Sequence, residues 1–337
     1  MLKKLFEKKS FIADITERAI TIAKHASKTI VYADSEDTVL LACASVAKEK
    51  IAKPLIVGTK KHILSSYARL KIKHLNEKNI VEPDEISEEF ISFVKLYLAM
   101  RTKDGKIVTH EEATSRMKQS HYYAAMLLST GKADGMIAGF SSATKPYLPA
   151  FEIIKTYEGI SRASGLFIMD KDKPYFFADC ALNINPTSDQ LAEIAATTAD
   201  TVINFGIKPK IAMLSFSTRD SAKHEMVDKV KNATRSVKEK HPELLIDGEI
   251  QFDAAIIPGV MQRKCADSVL KGDANVFIFP DLNSGNISYK IAERLGGYKA
   301  IGPIMQGLNK PVNDLSRGCS SQDVVDLTAI TVMQSLQ

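Results

Sequence analysis

Short apolar runs alternate with longer segments of helical periodicity along most of this chain. Thr29–Tyr32 and residues 54–58 have the pattern of buried strands, and residues 36–49 between them carry apolar side chains at helical spacing. Parallel strands need a long crossover connection, usually a helix, so this alternation predicts an α/β fold with mainly parallel sheets and helices on both faces. Ligands of such folds bind beyond the carboxyl ends of the strands. We therefore expect function to lie in the loops that follow strands.

The same patterns recur further along the chain and predict two domains, because 337 residues exceed what one compact core usually holds. A second unit is expected to begin near Thr156. Thr109 has the position of an N-cap for a helix over residues 111–128, and Ser221 that of a cap for a helix over residues 221–238. The other expected strands cover residues 132–139, 165–169, 175–178, 211–215 and 276–279, and the other expected helices cover residues 188–205, 287–295 and 323–336.

The charge of the chain is nearly balanced. The formal net charge is +5 and is spread along the sequence, with no helix-turn-helix or RNA-binding signature, so we expect no nucleic-acid partner. A mild positive balance suits small substrates that carry phosphate, because local cations attract anions.

The cysteines are scattered and form no CxxC pair, which argues against a zinc site and against a disulfide framework. Free thiols at Cys43, Cys180, Cys265 and Cys319 fit a reducing cytoplasm. The basic start MLKKLFEKKSF lacks the apolar stretch of a signal peptide, and no apolar run is long enough to span a bilayer. The histidines share no metal-ligand spacing, so no metal is expected.

Residues 302–323, GPIMQGLNKPVNDLSRGCSSQD, are expected to form a loop crowded with polar groups. Glycines and prolines interrupt any regular element there, and an amide, a carboxylate, a hydroxyl and a guanidinium stand together at Asn313, Asp314, Ser316 and Arg317. Loops of this kind on a rigid scaffold carry binding and catalytic residues.

The stretch GPIMQGLNKPVNDLSRG is similar to the C-terminal signature of the phosphate acetyltransferase family, itself part of the phosphate acetyl/butyryltransferase family. The segment 133–156 resembles the same family, as do five further blocks in the same order, FADCALNINP, AMLSFST, DGEIQFDAA, KGDANVF and FPDLNSGNISYKIAERLGG. The resemblance implies a two-domain fold of the isocitrate and isopropylmalate dehydrogenase type, with the active site in the interdomain cleft. It implies a discontinuous first domain, residues 1–155 plus 300–337, and a second domain, residues 156–299, through which the family usually dimerises.

The resemblance also implies the reaction, a reversible transfer of acetyl between acetyl phosphate and coenzyme A that releases or consumes phosphate. Coenzyme A would be a substrate, with no further cofactor, no membrane partner and a homodimeric assembly. Three alternatives remain open. A phosphate butyryltransferase would differ in its acyl pocket. A decarboxylating dehydrogenase would need a nucleotide motif and clustered aspartates, and neither is visible. A sensor would bind acetyl-CoA or acetyl phosphate without catalysis.

Three residues match the family's catalytic positions. The resemblance implies that Asp323 is the general base, that Ser316 holds the thiol, and that Arg317 polarises the acyl carbonyl or binds phosphate. Ser320 and Asp323 also have the spacing of a capping box, so a purely structural role for Asp323 stays open. A thiol pKa of roughly 8.5 exceeds that of an ordinary Asp, roughly 3.9, so we expect proton transfer to be concerted with attack on the carbonyl.

The resemblance assigns phosphate binding to Arg101, and the loop after the strand at 132–139 offers Ser141, Ser142, Thr144 and Lys145. The family often has an Arg where this chain has Leu148, and Lys145 is the expected substitute. Further substrate-binding candidates lie near strand ends, although turns and caps also explain many of them. These candidates are Ser215, Ser217, Thr218, Asn283, Gly285, Asn286, Tyr289, Lys290, Gly302 and Asn313.

Two cysteines lie close to these candidates. Cys319 is two residues from Arg317, and a nearby cation lowers a thiol pKa, so we expect Cys319 to react with alkylating reagents without being the nucleophile. Cys180 beside a strand is expected to be a small buried hydrophobic residue.

Overall fold

The computed structural model describes residues 10–141 and 147–336, and it divides into two compact units. The middle unit comprises Met1–Asp14 and Glu158–Gly307, and the terminal unit comprises Ile15–Tyr157 and Leu308–Gln337. Each unit therefore combines segments that are far apart in the sequence. The predicted division of catalytic and dimerisation roles between two domains stays a prediction, as does the location of the active site.

The strands are numbered in chain order. They are β1 Thr29–Tyr32, β2 Lys53–Val57, β3 Ile80–Val81, β4 Gly135–Ala138, β5 Ser164–Asp170, β6 Tyr175–Ala178, β7 Lys210–Leu214, β8 Leu245–Ile250, β9 Val276–Ile278, β10 Lys299–Gln306 and β11 Val312–Asp314.

The helices are α1 Phe11–His25, α2 Asp37–Glu49, α3 Lys60–Arg69, α4 Glu88–Lys103, α5 His110–Met117, α6 Ser120–Ser129, the single turn α7 Tyr147–Pro149, α8 Ser188–Asn204, α9 Glu225–Lys240, α10 Phe252–Ile256, α11 Pro258–Lys264, α12 Leu282–Arg294 and α13 Ser321–Gln334. A 3₁₀ turn covers Glu77–Asn79, and a π-helical segment covers Ala150–Ile154. Within residues 10–141 and 147–336, none of the helices combines the length and apolar character that crossing a bilayer requires.

The sheet of the terminal unit has the strand order β3-β2-β1-β4-β11, with each of these neighbours parallel. Tyr32 lies opposite Ile137, and Asp314 lies opposite Ala138. Strands β1, β4 and β11 therefore end at one edge of the sheet, and β4 is buried along its whole length, as expected of a central parallel strand. The three loops that follow these strands share that edge.

The middle unit has the order β10-β5-β6-β9-β7-β8, and its sheet is mixed. Strand β5 runs antiparallel to both β10 and β6, whereas β6, β9, β7 and β8 pair in parallel. The expectation of parallel pairing is thus confirmed in the terminal unit and only partly in the middle unit. Residues 171–174 connect β5 to β6, a connection too short for a parallel crossover, so these two strands form a hairpin.

Most elements predicted from periodicity are present, including β1 and β6 at their predicted limits. Four predictions need correction. Residues 302–323 are not one continuous loop, because β10 extends to Gln306 and β11 covers Val312–Asp314. The helix expected over residues 111–128 is two helices, α5 and α6, because Gln119 adopts an extended backbone between them. Ser221 caps no helix, since α9 begins at Glu225 and is capped by His224. The helix expected over residues 287–295 begins earlier, at Leu282, because Asp281 caps it.

Gly285 lets helix α12 approach the backbone that follows β6. A Cβ atom at this position would lie 2.3 Å from the Asp179 carbonyl oxygen and 3.2 Å from the Cys180 sulfur. Gly285, a predicted substrate-binding residue, thus lets one part of the fold approach another.

We predict that Gly285→Ala lowers the free energy of unfolding by about 1–3 kcal/mol, the usual range for overpacking. Gly259→Ala is the matched control, because Gly259 is also helical and its Cβ would meet only the end of Arg263, at 3.9 Å. This control should be neutral or stabilising by up to about 1 kcal/mol. Urea unfolding followed by circular dichroism measures both, and equal stability of the two variants would contradict the packing account.

Candidate active site

The loops at the carboxyl edge of the terminal sheet are joined by Asp34, which follows β1. Its buried carboxylate accepts hydrogen bonds from the Phe140 amide (3.0 Å), the Ser141 amide (3.3 Å) and the Ser141 hydroxyl (3.1 Å). The loop after β4 is therefore fixed to the loop after β1. Ser141, a predicted substrate-binding residue, lies at the sheet edge where ligands of parallel sheets bind.

A polar cavity of about 240 Å³ opens beside Asp34. Two of its lining side chains keep buried atoms without a hydrogen-bond partner among the described residues, Glu36 Oε2 and His121 Nε2. Burial lowers the pKa of His121, so this ring is neutral at physiological pH. The cavity is lined by Ala33, Asp34, Ser35, Glu36, Ser120, His121, Ala138 and Ser141.

Gly139 and Asp314 bring the loops after β4 and β11 together. Gly139 has φ +110°, and a Cβ atom there would lie 1.9 Å from Asp314 Oδ1. The Leu315 amide donates to the Ala138 carbonyl at 2.7 Å, which continues the strand pairing into the loop. Only glycine allows this approach, so position 139 sets where the following residues lie.

Ser316 and Arg317 are exposed on the turn that follows β11. The Ser316 carbonyl accepts from the Cys319 amide at 3.0 Å, and its hydroxyl accepts from the Gly318 amide at 3.4 Å. The turn thus presents the hydroxyl and the guanidinium to solvent at the sheet edge, where a substrate can reach them.

Asp323 forms the capping box that its spacing predicts. One carboxylate oxygen accepts from the Ser320 amide (2.9 Å) and the Ser320 hydroxyl (2.8 Å), while the Asp323 amide donates to the same hydroxyl at 3.3 Å. These hydrogen bonds engage Oδ2, and a carboxylate has a second oxygen with lone pairs of its own. The capping role is therefore confirmed, and it leaves acceptor capacity for other chemistry.

The predicted lowering of the Cys319 pKa is wrong. Burial and then the negative charge of Asp323 raise this pKa to about 11, and Asp34 and Asp314 act in the same direction. The thiol is half-buried near carboxylates, and Arg317 is exposed to solvent. Cys319 is therefore a poor nucleophile, and the carboxylates around it form an aspartate group that the sequence spacing did not reveal.

Arg101 lies in the last turn of α4, with 15% of its side chain exposed. It forms ion pairs with Asp104 and with Glu152, both at 3.5 Å, and its buried Nε has no partner among the described residues. Glu152 also contacts Arg116, at 2.6 Å. Reasoning from the sequence missed Glu152 and Arg116, since no local motif links residues that are 36 positions apart.

The hydroxyl candidates after β7 bond within the middle unit. The buried Ser217 hydroxyl donates to Glu249 at 3.1 Å, and the Thr218 hydroxyl bonds Gln251 at 3.2 Å. The Ser215 hydroxyl accepts from the Ser217 amide at 3.2 Å. These groups hold the turn after β7, and a ligand role for them stays a prediction.

The candidates on α12 also make internal contacts. Asn286 donates to the Cys180 carbonyl at 3.1 Å and accepts from Lys290 at 2.6 Å. Tyr289 stacks on Phe167 with ring centroids 3.9 Å apart. Asn283 is exposed in the first turn of α12. Cys180 is fully buried, as predicted.

Two further candidates lie in the folded core. Asn313 is fully buried and donates to Thr331 (2.8 Å) and Gln334 (2.7 Å), which ties β11 to α13. Gly302 lies within β10, where a Cβ atom would be 2.8 Å from the Leu166 carbonyl oxygen. Their observed contacts are structural.

Ser142, Thr144 and Lys145 lie outside the described residues, so the substitution of Lys145 for a family arginine stays a prediction. Leu148 is described and is 51% exposed. Among the described residues, no group of three or more His, Cys, Asp or Glu side chains is arranged to hold a metal ion.

Comparisons with known proteins agree with this architecture. A family model described as phosphate acetyl/butaryl transferase matches residues 10–332. The phosphate acetyltransferase of Bacillus subtilis (strain 168) is 45% identical over 303 residues, covering 89% of this chain and 92% of that protein. The EutD phosphotransacetylase structure from Staphylococcus aureus has a TM-score of 0.88 at 41% identity, covering 97% of this chain and 100% of the other. A phosphotransacetylase structure from Streptococcus pyogenes has a TM-score of 0.90 at 41% identity, covering 97% and 98%.

We predict that Asp323→Asn raises the alkylation rate of Cys319 several-fold at mildly alkaline pH. Removing this negative charge lowers the thiol pKa, and the thiolate is the reacting species. Asparagine keeps an acceptor for the Ser320 cap, so the helix start is retained. Iodoacetamide labelling with peptide mass spectrometry measures the rate, and Asp189→Asn, an exposed first-turn carboxylate of α8, is the control. An unchanged rate would contradict the electrostatic account.

Proposed function

This chain belongs to the phosphate acetyl/butaryl transferase family, and we propose that it transfers acetyl reversibly between acetyl phosphate and coenzyme A. It is an acyltransferase. The observation that supports the site assignment best is the exposed turn with Ser316 and Arg317, which follows a parallel strand and precedes Asp323 at the start of α13. These residue types suit attack by a thiol on an acyl carbonyl.

In the direction of thioester formation, the sulfur of coenzyme A attacks the carbonyl carbon of acetyl phosphate. The bond from that carbon to the bridging oxygen breaks, and phosphate leaves with the electron pair. The thiol proton passes to Asp323 and from there to the departing phosphate or to water. Acetyl-CoA and phosphate are the products, and the reverse reaction retraces these steps.

Each of the proposed catalytic residues has a distinct task. Ser316 hydrogen-bonds the thiol and orients it. Arg317 stabilises the negative charge that develops on the carbonyl oxygen, where a preorganised cation is most effective. Arg101 binds the phosphate group. Concerted proton transfer to Asp323 avoids a free thiolate, whose formation next to this cluster of carboxylates would be unfavourable.

We also propose that the protein forms a homodimer through its middle unit. An apolar cavity of about 510 Å³, lined by residues of β5, β6, β9, α10 and α12, opens on this unit. Phe252 and Ile291 line it and are themselves exposed, and Leu295 nearby in the chain is 84% exposed. Apolar surface of this extent usually marks a protein interface, and a two-fold axis would cover it with the same surface of a second copy. The free cysteines fit a reducing cytoplasm as the proposed location.

We predict that Arg317→Ala lowers kcat/KM for thioester formation by about 10²–10³, the usual effect of removing one oxyanion-stabilising group. Asp323→Asn should lower it by about 10²–10⁴, the range for a general base. Acetyl phosphate and coenzyme A are the substrates, and thioester absorbance is the readout.

Ser320→Ala separates the two roles of Asp323. It removes the capping hydroxyl and should lower stability by about 1 kcal/mol, yet it leaves the carboxylate in place and should change kcat little. If Ser320→Ala lost as much activity as Asp323→Asn, Asp323 would act only as a cap.

We predict that Ile291→Glu shifts the protein from dimer to monomer in size-exclusion chromatography with light scattering, because it places a charge on the proposed interface. Ile107→Glu, at a position in the terminal unit that is 98% exposed, is the control and should leave the mass unchanged. A wild-type monomer at micromolar concentration would refute the dimer.

A further inference from the structure

Two arginines from different helices converge on one carboxylate in the terminal unit. Arg116 of α5 contacts Glu152 Oε2 at 2.6 Å, and Arg101 of α4 lies 3.5 Å from Oε1. Each oxygen of Glu152 therefore faces a guanidinium. Glu152 is only 16% exposed and Arg116 is 35% exposed, so the carboxylate is sheltered while the guanidinium stays partly accessible to solvent.

Two phenols complete the surroundings of this carboxylate. The hydroxyls of Tyr97 and Tyr122 donate to Glu152 Oε2 at 2.7 Å and 2.9 Å. The Arg116 guanidinium also lies over both rings, 5.8 Å and 5.3 Å from their centroids. We call these four donors, Arg101, Arg116, Tyr97 and Tyr122, the anion cradle.

The pKa values in the anion cradle leave its phenols protonated, so the cradle keeps its hydrogen-bond donors. Burial acts to raise the pKa of Glu152, but the hydrogen bonds from Tyr97, Arg116 and Tyr122 outweigh it and hold that pKa below its ordinary value. Burial and Glu152 raise the pKa of Tyr122 to about 12. Glu152 is thus ionised and the phenol keeps its proton at neutral pH, so the cradle presents donors to an anion.

Glu152 Oε2 accepts three close hydrogen bonds, but Glu152 Oε1 is held less closely. Arg101 reaches Glu152 only at 3.5 Å, and its buried Nε has no partner among the described residues. A carboxylate is planar and carries one charge, whereas phosphate offers tetrahedral oxygens and up to two charges. Guanidinium pairs bind phosphate through two parallel hydrogen bonds each, so the cradle suits a phosphoryl group better than it suits Glu152.

One residue of the anion cradle neighbours the polar cavity beside Asp34. Helix α6 leads into β4, and His121 in its first turn lines the polar cavity with Asp34 and Ser141. Tyr122 is the next residue, and its ring centroid is 5.3 Å from that of His121. The cradle is therefore linked to the polar cavity through the contact between Tyr122 and His121.

We propose that Arg116 binds phosphate together with Arg101, and that Glu152 occupies the anion cradle until the phosphoryl group of the substrate displaces it. This inference rests on the proposed acetyl transfer for the identity of the anion. Arg116 then positions acetyl phosphate, and Glu152 is a built-in competitor that weakens phosphate binding. Displacement involves a short segment, since Glu152 lies in the π-helical Ala150–Ile154, and such segments are frequent at functional sites.

The test measures inorganic phosphate binding by isothermal titration calorimetry, without turnover. Arg116→Gln should weaken binding about tenfold or more, the effect expected when one charge-assisted partner is lost. Glu152→Gln should tighten it about tenfold, since the competing charge is gone and more of the cradle is available. Arg116→Lys should fall between Arg116→Gln and wild type, because lysine keeps the charge but loses the fork.

Matched controls use ion pairs on the surface of the same unit. Arg69→Gln breaks the exposed pair with Asp37, and Glu85→Gln breaks the exposed pair with Lys118. Neither should change phosphate affinity. In steady-state kinetics, Arg116→Gln should raise KM for acetyl phosphate by the same factor while KM for coenzyme A stays unchanged.

The outcomes separate this inference from the proposed function. If Glu152→Gln unfolds at lower urea and binds phosphate no more tightly, the pair only joins α5 to residues 150–154 and the inference is wrong. If wild type turns over acetyl phosphate but Arg116→Gln keeps its phosphate affinity, the proposed function stands and phosphate binding by the anion cradle is refuted. If wild type shows no turnover yet phosphate affinity changes as expected, the cradle stands and the proposed function fails.

Discussion

The parallel register of β1, β4 and β11 is the constraint on which the candidate site depends. Tyr32 opposite Ile137 and Asp314 opposite Ala138 place three strand ends at one edge, and the Leu315 amide extends this pairing into the loop. A shift of one residue in β11 would move Asp314 away from Gly139 and turn Ser316 to the other face. The polar loops are thus positioned by hydrogen bonds between apolar strands, and the strands need no polar side chains to do it.

The polar residues that follow strands differ in exposure between the two units. In the terminal unit, the side chains of Ser316 and Arg317 extend beyond a strand into solvent. In the middle unit, the hydroxyls of Ser217 and Thr218 are buried and bonded to neighbouring side chains. Both pairs follow strands and read alike in the sequence. The two pairs differ in whether an acidic or amide side chain from a neighbouring segment, such as Glu249, is close enough to form a hydrogen bond.

The sequence therefore predicted local features well and long-range pairings poorly. Apolar runs located β1 and β6, and side-chain spacing identified the caps at Thr109 and Ser320, because these depend on a few neighbouring residues. The pKa of Cys319 depends on its burial and on carboxylates from three separate segments of the chain, which are the loop after β1, the end of β11 and the first turn of α13. The spacing of residues in the sequence does not reveal such long-range contacts. The contact between Arg116 and Glu152 is a second example.

The capping box at the start of α13 places two different selective pressures on one side chain, that of Asp323. Under the proposed mechanism, the carboxylate that fastens the first turn of this helix is also the one that accepts a proton in each catalytic cycle. Selection for a durable fold and selection for a fast enzyme then act on the same side chain. A lineage that lost the reaction would still retain Asp323 for its cap, so persistence of this aspartate in a relative is weak evidence of activity, whereas persistence of the exposed Arg317 is strong evidence.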